Sequence, residues 1–91
     1  MDELEGLIKS LGRKGALKIL GALADKNEMN FNKLAKKVGY SVTASRVLKD
    51  FLIHDLVKKR ELKDNLGTVR YSLTEKGLKV RTILEQMRKI E

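Results

Sequence analysis

The segment NFNKLAKKVGYSVTASRVLKDFLIHDLVKKRELKDNLGTVRYSL, residues 30–73, decides the fold. Asn30 is an N-cap type of residue, and Phe31 to Val38 reads as a short helix. Gly39 stands where a helix ends in a positive φ. Tyr40 completes the turn, and Ser41 can cap a second helix running from Val42 to about His54. Two helices joined by three or four residues that include Gly make a helix-turn-helix. Leu56 to Lys63, a polar DNLG tip and Thr68 to Leu73 then predict a β-hairpin. Val69, Arg70, Tyr71, Ser72 and Leu73 alternate with the period of a half-buried strand. Asn65 and Gly67 are turn residues by their chemistry.

In order along the chain, FNKLAKKVG, SRVLKDF, LVKKR and YSLTEKG resemble the successive signatures of a winged helix-turn-helix domain of the ArsR, MarR and HxlR regulators of bacteria and archaea. The resemblance covers about residues 12–87, and YSLTEKG at the close of the wing is its most specific piece. It implies dimeric, sequence-specific binding to duplex DNA in transcriptional control. The second helix would enter the major groove, and the hairpin wing would lie along the flanking backbone. Asp55 stands where such proteins usually carry Gly. Asp is among the few non-Gly residues that tolerate the left-handed region, so the turn survives at some strain.

Outward from this segment, Leu4, Leu7, Ile8 and Leu11 recur at helical spacing, which predicts an amphipathic helix over about residues 2–11. A helix this short is marginal in water unless it docks on something. Gly12 and Gly15 in GRKG break or loosen it before the next helix; a break or one continuous helix both fit. Ala16, Ile19, Leu20 and Leu23 share one face of residues 16–25, widened by Leu17 and Ala24. Asp25 to Glu28 reads as a polar turn, and Met29 fits a short third strand. Thr74 can cap a last helix from Glu75 to about Ile90. The expected fold is mostly α with a small β-hairpin wing: one winged-helix domain over residues 1–91, with helices added at both ends.

The chain has 91 residues and a formal net charge of +8. Residues 1–11 carry a net −2, residues 12–63 carry thirteen Lys or Arg against five Asp or Glu, and residues 64–91 carry a net +2. The excess sits in the helix-turn-helix and first wing strand, the electrostatic footprint expected for nucleic acid. A solvated lysine-rich surface is the plainer alternative. Only 4% of residues are aromatic, so the core must be aliphatic. With no Cys, disulfides, iron–sulfur clusters and thiolate metal sites are excluded. His54 is the single His, without companions at ligand spacing, so no metal and no cofactor is expected. No phosphate-binding glycine loop or HExxH is present, and no catalytic constellation emerges. No apolar run is long enough for a membrane span and the start lacks a signal-peptide pattern, which leaves a cytoplasmic, nucleoid-associated location.

Unwrapped at 100° per residue, the second helix puts Ala44, Leu48 and Phe51 on a core stripe, flanked by Val47 and Leu52. The opposite side gathers Val42, Arg46, Lys49 and Ile53, with Thr43 and Asp50 nearby. Ser41, Val42, Thr43, Ser45, Arg46 and Lys49 are the candidate recognition residues. Arg can bond guanine O6 and N7 together, hydroxyls serve several base edges, and Val42 suits a thymine methyl. Ser41 as a cap and Arg46 paired with Asp50 at i, i+4 are the structural alternatives. Ile53 is expected beneath the N-terminal helix or a partner. Lys36 and Lys37 suit either phosphate or the C-terminal end of the helix dipole. Lys59, Arg60, Lys63 and Arg70 are the candidate wing contacts, with a cross-strand Arg70–Glu61 pair as the alternative.

Val80, Ile83, Leu84, Met87 and Ile90 form a second apolar stripe, and Leu4, Ile8 and Leu11 a third. Together with a closed winged core, they are more apolar surface than one small domain buries. A homodimer through both terminal helices is the expected use, with double-stranded DNA as partner. The competing readings are an architectural DNA-binding protein without sequence preference and a winged helix used as a protein-interaction module.

Overall fold

A computed structural model describes residues 2–64 and 68–90. The assignment of Asn65 and Gly67 as turn residues lies outside the described residues. Helix α1 (Glu3–Leu11) starts where the Asp2 carboxylate accepts N–H bonds from Leu4, at 2.6 Å, and Glu5, at 3.3 Å. It stops at Gly12, and α2 (Ala16–Lys26) starts after Gly15 in the left-handed region at φ 85°. The two glycines therefore break the helix. Ala16, Ile19, Leu20 and Leu23 are buried as expected. Leu17 is instead 58% exposed; one residue past Ala16 it is rotated by 100° from that stripe.

Strand β1 (Met29–Asn30) follows, with Met29 buried, and leads directly into α3 (Phe31–Val38). The Asn30 side chain accepts the Lys33 N–H at 2.9 Å, and Gly39 ends the helix at φ 100°. Helix α4 (Ser41–Ile53) begins one residue earlier than its composition suggests. An N-cap residue keeps an extended backbone; here that residue is Tyr40, at φ −138° and ψ 127°, and it makes no side-chain cap bond. Ser41 is thus the first helical residue and not the cap. After α4, Asp55 turns the chain at φ 58°, the left-handed conformation expected of it.

The wing is formed by β2 (Val57–Glu61) and β3 (Val69–Leu73), paired antiparallel, with β1 on the other side of β3. Leu56 falls outside the strand. It is fully buried and donates its N–H to Phe51 O at 2.8 Å, closing the turn after α4. At the far end Leu62 N–H bonds Thr68 O at 2.8 Å, and the Asp64 carboxylate takes the Thr68 N–H at 3.1 Å and hydroxyl at 2.8 Å. The register sets Arg60 opposite Arg70 and Glu61 opposite Val69. A cross-strand Arg70–Glu61 pair is therefore off by one residue, and one residue moves a strand side chain to the other face of the sheet.

Helix α5 (Glu75–Arg88) is capped by Thr74, whose hydroxyl accepts the Gly77 N–H at 3.0 Å and donates to Asp55 O at 2.5 Å. Leu56 O accepts the Thr74 N–H at 3.0 Å. Gly77 is buried here, and a Cβ on it would stand 2.1 Å from that same oxygen. The core under the sheet joins Ile19, Leu20 and Leu23 of α2, Leu34 of α3, Val47, Leu48 and Phe51 of α4, and Leu56. Each such aliphatic or aromatic side chain contributes roughly 1.5–3 kcal/mol by leaving water.

Candidate nucleic-acid interface

Helix α4 has two faces with different chemistry. Ala44, Val47, Leu48 and Phe51 are buried against α2 and α3, which fixes the helix about its axis. Ser41, Val42, Ser45, Arg46 and Lys49 are exposed on the other side, while Thr43 is half-buried. Val42 is 63% exposed, an apolar side chain held out in water at the first turn. A 13-residue helix is about 20 Å long, and its width with side chains suits a major groove. Among the described residues Arg46 has no ion pair: its neighbour Asp50 is bonded to Arg13 from the α1–α2 turn. Ile53 is 70% exposed and so is not beneath α1, contrary to one of the two expectations for it. α1 packs instead over the end of α4 at His54, whose ring lies 3.1 Å from where a Cβ on Gly6 would be.

The basic residues outside α4 divide into free and engaged groups. Lys59 and Lys63 are exposed on the wing. Arg60 is held by Glu28: its Nε donates to one carboxylate oxygen at 3.2 Å and its Nη2 to the other at 2.8 Å. That bonding, with the nearby charges of Arg60 and Arg70, holds the Glu28 carboxyl below its ordinary range; the same bonding and the charge of Glu28 raise Arg60 above its own. Arg70 sits in the central strand, between Asn30 and Arg60 and within the field of Glu28. It is a mid-sheet residue, not a tip residue. Lys36 and Lys37 are exposed at the end of α3, and Lys37 also lines a groove between α2 and α5.

Two neighbours of α4 carry no local sequence signal. The Lys14 ammonium lies 5.4 Å from the centre of the Tyr40 ring, cation-π distance, and Arg13 reaches Asp50. Both come from GRKG, far from α4 in sequence.

The terminal helices split in the same way. Leu11, Val80 and Leu84 are half-buried against the core. Leu4, Ile8, Ile83, Met87 and Ile90 are 56–84% exposed. Leu17, Met87 and Ile90 also rim the α2–α5 groove, of about 910 Å³, whose other lining includes Leu20 and Leu84. Among the described residues no cluster of His, Asp or Glu could hold a metal ion, and no helix is long and apolar enough to cross a membrane.

A family model described as HxlR-like helix-turn-helix matches residues 10–91. A comparison with curated proteins gives no match. Solved structures with this fold include the reduced form of the transcriptional regulator YodB from B. subtilis, with a TM-score of 0.82 at 21% identity over 98% of this chain and 88% of that one. Another is the homodimeric winged helix-turn-helix DNA-binding domain Mb0332 from Mycobacterium bovis, a possible ArsR-family regulator. Its TM-score is 0.80 at 22% identity, over 97% of this chain and 80% of that one. HlyU from Vibrio cholerae has a TM-score of 0.74 at 24% identity, over 97% of this chain and 90% of that one.

Proposed function

This chain belongs to the HxlR-like helix-turn-helix family, and we propose that it is a homodimeric transcriptional regulator that binds specific sequences in duplex DNA. The family and fold are those of DNA-binding regulators and not of enzymes. The observation that carries the finer reading is the division of α4. Its buried face is anchored by Ala44, Val47, Leu48 and Phe51, and the opposite face offers Ser41, Val42, Ser45, Arg46 and Lys49 to solvent. A fixed helix with a free guanidinium, hydroxyls and a methyl-bearing side chain has what base-edge reading needs. Lys59 and Lys63 supply sequence-independent attraction to phosphate. Arg60, paired with Glu28, and Arg70, within the field of that carboxylate, are further wing contacts for the backbone.

The whole chain acts as one winged unit with α1 and α5 as dimer arms. The exposed Leu4, Ile8, Ile83, Met87 and Ile90 pair two copies about a two-fold axis, the commonest symmetry of soluble oligomers. The two α4 helices then meet successive major grooves, about 34–36 Å apart, on an inverted repeat. The Mycobacterium bovis domain of the same fold is a homodimer, which supports a dimer here. The protein works on chromosomal DNA in the cytoplasm. Selection of bound duplexes from a random pool at physiological salt tests the reading. An enriched inverted repeat is expected; a featureless pool makes the protein an architectural DNA binder.

A further inference from the structure

Asp50 lies one helical turn after Arg46 on α4, the spacing at which an acid and a base on one helix pair. That pair is not formed. Asp50, its side chain only 22% exposed, bonds Arg13, which the α1–α2 turn brings alongside. The same turn touches the other end of α4, with Lys14 over Tyr40. Its Gly15, at φ 85°, leaves room for a Cβ only at 2.9 Å from Val38 Cγ1 and 3.5 Å from Thr43 Cγ2, so the turn backs directly onto the helix-turn-helix. Of the other titratable groups beside Asp50 in sequence, Lys49 is exposed, and His54, at the C-cap of the helix, turns its ring to α1 at Gly6.

We infer that Arg13 is a positioning residue for DNA recognition: by holding Asp50, it keeps the Arg46 guanidinium free for the groove. A largely withdrawn carboxylate needs a cationic partner. Without Arg13, the cation one turn back on its own helix is Arg46, and the two would close into an i, i+4 pair. Arg46 would then have to leave that pair before reaching a base, and the loss would fall on the preferred sequence. Arg13 need not touch DNA to have this effect. The inference rests on reading α4 as the DNA-contacting helix.

The experiment compares wild type, Arg13→Ala, Arg13→Lys, Asp50→Asn and the Arg13→Ala/Asp50→Asn double variant. Each is titrated at one salt concentration against the duplex selected by the wild type and against a scrambled duplex. The Arg46 Nε–H resonance of each free protein is recorded alongside. Arg13→Ala is expected to lower the preferred-to-scrambled affinity ratio by up to about twofold, the worth of one exposed i, i+4 pair, and to shift the Arg46 resonance. Arg13→Lys should retain the wild-type ratio. Asp50→Asn and the double variant should both return the ratio and the resonance close to wild type, since the competing carboxylate is gone. A merely structural bridge would make Asp50→Asn as damaging as Arg13→Ala and leave the double variant unrescued; that result overturns the inference. Equal losses on both duplexes, making Arg13 a phosphate contact, overturn it too, as does an Arg46 resonance unmoved by Arg13→Ala. If the wild type selects no preferred duplex, the regulator reading fails, and the Arg46 resonance still decides whether Arg13 and Arg46 compete for Asp50.

Discussion

Gly77→Ala tests the joint between the sheet and α5. Its new Cβ would lie 2.1 Å from Leu56 O, 3.1 Å from Leu56 C and 3.3 Å from Leu73 Cδ2. The nearest obstacle is backbone, so it cannot rotate away, and α5 must move off the sheet by about 1 Å to reach ordinary contact. Overpacking of this kind costs roughly 1–3 kcal/mol. The shift also stretches the Thr74 N–H bond to Leu56 O and the Thr74 hydroxyl bond to Asp55 O; hydrogen bonds of this type contribute about 1 kcal/mol each. Ala in place of Gly inside a helix recovers up to about 1 kcal/mol. The net destabilisation is about 2–4 kcal/mol, against a total stability of roughly 5–15 kcal/mol for a small domain. The midpoint of thermal unfolding should fall by roughly 10–30 °C, followed by circular dichroism with a urea titration in parallel. Gly21→Ala is the control. Its Cβ meets only Arg81 Nη2, at 3.8 Å, inside α2, so it should be neutral or stabilising. If Gly77→Ala melts within about 3 °C of wild type, well inside the expected shift, the close approach of α5 to Leu56 is not what anchors that helix.

Arg46→Ala should reduce affinity for the preferred duplex by about 1–3 kcal/mol with a smaller loss on non-specific DNA; equal losses would demote Arg46 to a phosphate contact. Neutralising Lys59 and Lys63 together should weaken binding to every duplex and lower the slope of log K against log salt by roughly one for each phosphate no longer neutralised, and an unchanged slope means that the wing faces away from DNA. Ile83→Glu with Met87→Glu should give a monomer in sedimentation, because buried unpaired carboxylates are costly, while half-site affinity persists; a wild type that is already monomeric at micromolar concentration rules the interface out. The Glu28 carboxyl is held below its ordinary range by Arg60, so its contribution is present above the unfolded value, near 4.5, and is lost as pH falls through the folded one. Glu28→Gln should therefore be less stable than wild type at pH 7 and indistinguishable from it at the acid end, and a deficit that persists in acid would point to altered packing and not to the missing charge.

The order of elements was legible in the sequence because each is specified locally. Asn30 and Thr74 carry the oxygens that cap α3 and α5, Gly39 and Asp55 accept positive φ, and the stripe of Ala44, Leu48 and Phe51 has the period of a helix buried on one side. YSLTEKG stood out as a motif, yet its last residue acquires a reason only in three dimensions, where Gly77 passes against the backbone of Leu56. Ser41 shows the limit of local chemistry: it has a capping side chain, but the chain leaves the extended conformation one residue earlier, at Tyr40.

Which charges are free was decided by the tertiary structure alone. Arg46 and Asp50 have the spacing of a pair, but Asp50 is bonded to Arg13 from a distant turn. Arg60 and Arg70 look like wing contacts in a basic run, but the sheet brings Glu28 to Arg60 and sets the two arginines opposite each other. Side-chain spacing along one helix or strand is fixed by the covalent chain and its period, so sequence determined α4 and its two faces. Pairing between elements depends on strand register and on how helices cross, to which hydrophobic burial contributes most and which no local pattern encodes. For that reason the sequence named the candidates for DNA contact, and only the fold sorted them into those already engaged and those left open to solvent.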